Sequence, residues 1–212
     1  RSEYSVKLNG YDADFDNSNL YRRAIAFLQS PSEPLGEWKN SSSDYGSITL
    51  FAHYLADHYG DKVLVDSLKL PSVGIESMNQ ALRLSGFSES FSDVFTNWTI
   101  ANFLNDASVA GKYAYKSPDL KSLKIPPTKS FFVTGFGTSI SVFNTVKDWQ
   151  AAWYEFSTSI GYKGSLKVDF SGSAGSKFLV PYIIFHIDGR KEVGLINLSD
   201  NGGTAFIEGF GD

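Results

Sequence analysis

The chain has 212 residues, 42% of them hydrophobic, 20% charged and 15% aromatic, which suits a folded protein with well-filled cores rather than a disordered one. A formal net charge of −4 and the lack of any basic run argue against a nucleic-acid partner, and no apolar run approaches the ~18 residues of a membrane span. The absence of cysteine excludes disulfides, thiolate metal sites and thiol catalysis.

In chain order, "DADFDNSN" comes first. It offers Asp12, Asp14 and Asp16 at the alternate spacing of a calcium loop. The sixth loop position is Asn17 instead of Gly, and the twelfth is Arg23 instead of Glu. The competing reading is an acidic turn in which Asn17 or Ser18 caps the next helix. That helix, "NLYRRAIAFLQ", places Leu20, Ala24, Phe27 and Leu28 on one face. The next, "SDYGSITLFAHYLADHYG", aligns Ile48, Phe51, Ala52, Leu55 and Tyr59, with Asp44 as the expected N-cap and Gly60 as the stop.

The second of these helices carries His53 and His58, which invites comparison with a zinc helix. Five positions on a helix turn through about 140°, whereas the H-E-x-x-H motif uses four positions and about 40°. The two rings therefore cannot share one ion. His53 and Asp57 have the right spacing but fall opposite the apolar stripe, which predicts a solvated face. Short helices are expected in "DKVLVDSLKL" and "GIESMNQALRLSG". A buried one then spans "SFSDVFTNWTIANFLND".

Residues 106–127, with Pro118, Pro126, Pro127 and clustered lysines, read as a linker. Beyond it the period changes to two. Some seven short β-branched and aromatic runs, parted by Gly, Asp and Asn turns such as "DNGG", suggest an antiparallel β-sandwich over 128–212. The expected class is α+β in two domains: an all-α helical subdomain over 1–105, then the sandwich. In "KDWQAAWYEF", Trp149 and Trp153 share one face and would serve either as a sugar-stacking platform or as core. The sequons at Asn40, Asn97 and Asn197 occur at about the chance rate, and no Ser/His/Asp set or phosphate loop is present.

Two stretches carry a family resemblance. "RSEYSVKLNGYD" resembles the segment just beyond the third zinc ligand in gluzincin metallopeptidases, the thermolysin and aminopeptidase N group. There a helix bears N-E-x-x-S-D/E; its first Glu binds zinc, and the acidic residue four positions on supports a zinc-bound histidine. Ser2 and Glu3 match the last two positions, which puts the ligand Glu just before Arg1. "DYGSITLFAHYLADHYGDKVLVDSLK", with "GIESMNQAL" and "FSDVFTNWTIANFL", is similar to the helical subdomain downstream of the zinc site. A Tyr opening that helix donates to the tetrahedral oxyanion in the aminopeptidase branch, and Tyr45 matches it; a Tyr simply packed at a helix start is the other reading.

No H-E-x-x-H occurs in these 212 residues. The resemblance thus implies the C-terminal part of a zinc endopeptidase, secreted or on the surface of a bacterium, inactive alone. Zinc would be bound outside this chain, in an N-terminal catalytic half that completes the cleft for a peptide substrate. A non-catalytic extracellular module recognising glycan or a surface protein through Trp149, Trp153 or nearby loops is the alternative.

Overall fold

A computed structural model describes residues 2–11, 13–159, 161–162 and 164–211, with Ser2 described by its backbone alone. It shows mixed helix and sheet, the α+β class. The chain forms two compact units, Arg1–Pro126 with Thr145–Ala152, and Pro127–Asn144 with Trp153–Asp212.

The first unit holds six helices among the described residues: α1 (Ser2–Leu8), α2 (Asn19–Gln29), α3 (Ser42–Tyr59), α4 (Asp61–Lys69), α5 (Gly74–Leu84) and α6 (Phe91–Leu104). Side-chain caps start α2, α3 and α6. The Ser18 hydroxyl accepts from the Tyr21 N–H at 3.0 Å and caps α2. Helix α3 begins earlier than its apolar pattern suggests: Ser41 is the N-cap, and Asp44, the expected cap, is its partner in a capping box. Ser90 and Asp93 repeat the device on α6.

Helix α3 is the centre of the unit. Residues 49–56 are all buried, more than two full turns, so the helix is covered on every side and not along one stripe. His53, expected on a solvated face, is 0% exposed, with the Tyr4 ring of α1 edge-on at 5.0 Å. Asp57, expected beside it in solvent, is ion-paired with Lys7 of α1 at 3.3 Å and accepts from the Ser117 N–H at 3.1 Å. The face opposite the apolar stripe is covered by α1 and by the segment after α6. On the other side, Trp98 of α6 packs against Phe27 and Phe51, with centroids 5.7 and 5.3 Å away.

The stretch expected to be a linker is built into this unit up to Pro126. Ala114, Tyr115, Leu120, Leu123 and Ile125 are buried. Its backbone is held by side chains of the helices. The Tyr54 hydroxyl donates to the Lys112 carbonyl at 2.6 Å, and His58 Nε2–H donates to that of Ala114 at 2.9 Å. Asn105, in the left-handed region at φ 38°, ends α6. Its amide shares two hydrogens among the carbonyls of Leu120, Lys121 and Leu123, at 2.8, 3.1 and 2.8 Å.

In the second unit six strands pair two by two among the described residues. Strand β1 (Lys129–Val133) runs parallel to β2 (Tyr154–Thr158), β3 (Gly164–Ser171) antiparallel to β6 (Gly202–Phe210), and β4 (Pro181–Phe185) antiparallel to β5 (Lys191–Leu195). The β-branched run "SISVF", residues 139–143, lies outside these pairs. The "DNGG" turn is tight: Asp200 and Asn201 both have positive φ, and Ser199 bridges Gly202. Among the described residues, Val133 and Ile196 are this unit's fully buried apolar side chains. No helix among the described residues is long and apolar enough to cross a membrane.

Replacing Asn105 by Ala removes the three-carbonyl clasp and leaves a non-Gly residue in the left-handed region. The expected loss is about 2–4 kcal/mol, from lost hydrogen bonds and left-handed strain. Urea unfolding followed by tryptophan fluorescence checks this, and a change under ~0.5 kcal/mol, the usual size for a surface substitution, would show that the segment is not integral to the helical unit.

Candidate functional site

Glu3 in the first turn of α1, Asn19 and Arg23 on α2, and Tyr45 in the first turn of α3 come together. Asn19 and Arg23 are four residues apart and so share a helix face. Both reach Glu3: Asn19 Nδ2 donates to its Oε2 at 2.8 Å, Arg23 Nε to Oε2 at 2.8 Å, and Arg23 Nη2 to Oε1 at 3.3 Å. The ion pair is well covered, with side-chain exposures of 24% for Arg23 and 14% for Glu3. The carbon of the same guanidinium lies over the Tyr45 ring, 4.4 Å from its centroid. Trp38 meets that ring edge-on at 4.8 Å, and the phenol donates to Asn40 Oδ1 at 3.2 Å near the surface.

Gly46 makes this convergence possible. A Cβ there would stand 2.7 Å from the Phe27 nitrogen, 2.9 Å from the Arg23 carbonyl oxygen and 3.1 Å from the Phe27 Cα. Only a residue without a side chain lets the backbone of α2 come so near α3, and that approach sets Arg23 beside Tyr45.

Burial raises the Glu3 carboxyl, but the hydrogen bonds from Arg23 and Asn19 and the guanidinium charge outweigh it, so it titrates below the usual glutamate range. Glu3 is therefore an anion at neutral pH, neutralised by Arg23. The arrangement supplies a fixed carboxylate with spare acceptor capacity and a phenolic donor whose present acceptor is an exposed amide. It can donate a hydrogen bond to developing negative charge. Among the described residues, no group of three or more His, Cys, Asp or Glu could hold a metal ion.

A second polar cluster is architectural. The Tyr4 hydroxyl donates to Asp61 Oδ1 at 2.6 Å, tying α1 to α4, while Lys7 and Asp57 tie α1 to α3. Burial first, then the bond to Asp61, pushes the Tyr4 phenol well above the usual tyrosine range.

The remaining sequence candidates lie elsewhere. Asp12 is outside the described residues. Asp14 and Asp16 are exposed, and Asp14 Oδ2 accepts from Asn17 Nδ2 at 2.8 Å in a turn ahead of α2. Trp149 and Trp153 fall in different units. Trp149, at φ 57°, packs edge-on against Phe91 and Phe95 of α6, with centroids 4.6 and 5.4 Å away. Beside β1 and β2 the Thr128 N–H donates to the Trp153 carbonyl at 2.7 Å, and the Trp153 N–H donates to Thr128 Oγ1 at 3.1 Å. Sequence reasoning missed Arg23, Asn19, Trp38 and Gly46. An Arg on the otherwise apolar-patterned α2 was the available signal, but its partner lies 20 residues away on another helix.

This geometry generates two expectations. Gly46→Ala should gain about 1 kcal/mol in helix propensity and lose more to strain against backbone that cannot move aside, toward the upper end of the ~1–3 kcal/mol typical of overpacking. A net loss of about 2 kcal/mol in urea is expected, whereas a more stable variant would mean that α2 and α3 separate freely. Glu3→Gln should cost about 1.5 kcal/mol or more at pH 7. Because the folded carboxyl is depressed, its contribution is present above the unfolded value of about 4.3 and is lost as pH falls through the folded one. The gap between wild type and variant should thus close as pH falls through the folded value, and a gap that stays constant across the whole acid titration would remove the ion pair from the account. No protein-family model, curated protein or solved structure matches the chain.

Proposed function

We propose that this chain is the C-terminal part of a zinc-dependent endopeptidase, forming one wall of the active-site cleft, with the strand-rich half as an accessory β-sandwich module. The observation that carries the reading is the meeting of Glu3 and Tyr45 around Arg23. The family resemblance singles out these two residues independently, 42 positions apart, and both contact one guanidinium.

In this reading zinc is held by residues of an N-terminal catalytic half carrying H-E-x-x-H, and it supplies Lewis-acid chemistry there. The chain's own contribution is positioning and hydrogen bonding. Glu3 would orient a histidine ligand from behind. A carboxylate has about four acceptor sites, and its described partners occupy three, so Oε1 retains room for an imidazole N–H. Tyr45 would turn its O–H from Asn40, at 3.2 Å, to the oxygen that becomes negative as the peptide carbonyl is attacked. The parent would be a secreted or cell-surface bacterial protein, and this chain alone would be inactive.

The alternative, an extracellular module binding glycan or a surface protein, would use Trp149, Trp153 or nearby loops. The packing of Trp149 against Phe91 and Phe95 counts against it.

The test starts from the protein isolated from its native source. Intact mass, N-terminal sequencing and zinc content should reveal a larger chain or a companion fragment bearing H-E-x-x-H. In that species Tyr45→Phe should lower kcat ~100–1,000-fold with little change in KM, as expected for loss of a donor acting on the transition state. A native species of 23.4 kDa with no companion and no zinc would overturn the proposal.

A further inference from the structure

We infer that Arg23 is a positioning residue: its guanidinium holds the Glu3 carboxylate with two of its nitrogens and stands over the Tyr45 ring, so that the two respond as one unit. Its functional meaning rests on the peptidase reading. The clamp itself rests on geometry in this chain.

The two contacts use different parts of one planar group. Nε and Nη2 form the fork that meets the carboxylate, at 2.8 and 3.3 Å. The guanidinium carbon lies over the Tyr45 ring at 4.4 Å. A lysine ammonium can neutralise Glu3 but has neither the fork nor the planar centre. Neither contact has much freedom. Asn19 fixes Glu3 Oε2 from the same helix as Arg23, Trp38 packs T-shaped against the Tyr45 ring, and Gly46 sets the distance between α2, which carries Arg23, and α3, which carries Tyr45. A displacement of Glu3, by a partner bonding to it or by a proton, therefore shifts the guanidinium and with it the Tyr45 ring. Arg23 touches neither a substrate nor a metal in this role; it acts through the residues that would.

The experiment uses the 212-residue chain without zinc or peptide. Carboxyl ¹³C resonances report the titration of Glu3, and aromatic resonances report Tyr45. The Tyr45 ring should shift with the midpoint of Glu3, below the usual glutamate range. Asp44, next to Tyr45 on α3, is also held low, with burial opposing the backbone bonds from Ser41 and Lys39 that lower it. Glu3→Gln separates the two, because it should abolish the part of the response that tracks Glu3 and leave any part due to Asp44.

Arg23→Lys should keep Glu3 below its usual range but lose the Tyr45 response. Arg23→Met should raise the Glu3 midpoint and lose the response as well. Should Arg23→Met fail to fold, the Arg23→Lys and Glu3→Gln spectra decide. A Tyr45 ring that ignores Glu3 in the wild type, or tracks it equally in Arg23→Lys, overturns the clamp. In the native species, Arg23→Lys should lower kcat at least 10-fold at unchanged KM. Native material without zinc or hydrolysis would sink the peptidase reading and leave the spectroscopic result intact, so the two failures are distinguishable.

Discussion

Where α2 crosses α3, the two backbones approach so closely that one methyl group at Gly46 would overlap the main chain of Phe27 and Arg23. Much of the helical unit depends on that crossing. It brings Phe27 down onto Trp98 of α6, where the two rings lie 5.7 Å apart, and it brings the polar end of α2 over the start of α3. The same short separation thus serves packing at residue 27 and electrostatics at residue 23. Dispersion falls off steeply with distance, and a guanidinium–ring contact needs separations within about 6 Å. A larger residue at position 46 would weaken both.

With α3 covered on every side, its polar residues must find partners inside the protein, since an unpaired buried polar group costs as much as several favourable contacts contribute. Thr49 returns its hydroxyl to the Tyr45 carbonyl at 2.6 Å. Asp57 takes Lys7 and the Ser117 N–H, and Tyr54 and His58 reach the backbone of residues 112 and 114. These bonds pull α1 and the segment after α6 onto the helix. Burial lowers the His58 imidazole, against the raising effect of its bond to Ala114, so it is held neutral in a donor role toward that carbonyl. The polar side chains that look like a solvated face in the sequence are the fasteners of its covering layer.

That explains what the sequence did and did not reveal. Helices α2 to α6 were legible because 3.6-residue periodicity and the Gly60 stop are local signals. The burial of His53 was not, because a stripe argument assumes that one face of a helix sees water, and α3 has no such face. Residues 106–126 carry prolines and lysines that mimic a linker. Their order comes from side chains of α3 and α6 far away in the chain, and Leu120, Leu123 and Ile125 obey no regular period. The parallel pairing of β1 with β2 was equally hidden, since strand runs do not announce their partners. At the candidate site, Glu3 and Tyr45 were legible through resemblance. Arg23, which connects them, was not, because a contact between α1 and α2 has no sequence period of its own.

The two units also differ in how they are stabilised. The helical unit has a continuous apolar interior in which Leu50, Leu55, Val63, Ala81, Leu82, Val94 and Ala101 are 0% exposed. Its strand-rich counterpart, among the described residues, relies on ladder hydrogen bonds and ring contacts such as Phe131 on Phe156, stacked 5.4 Å apart. Phe136 and Phe143 remain 80% and 94% exposed. Two-stranded pairs are marginal on their own, because each strand satisfies half of its backbone and buries little side-chain area. Under denaturant the strand pairs should therefore open at lower free energy than α3, whose residues 49–56 are all buried. A site meant to hold charges at fixed separations is better built on the second kind of structure. The convergence of Glu3, Arg23 and Tyr45 is built there, on three helices, two of which meet at Gly46.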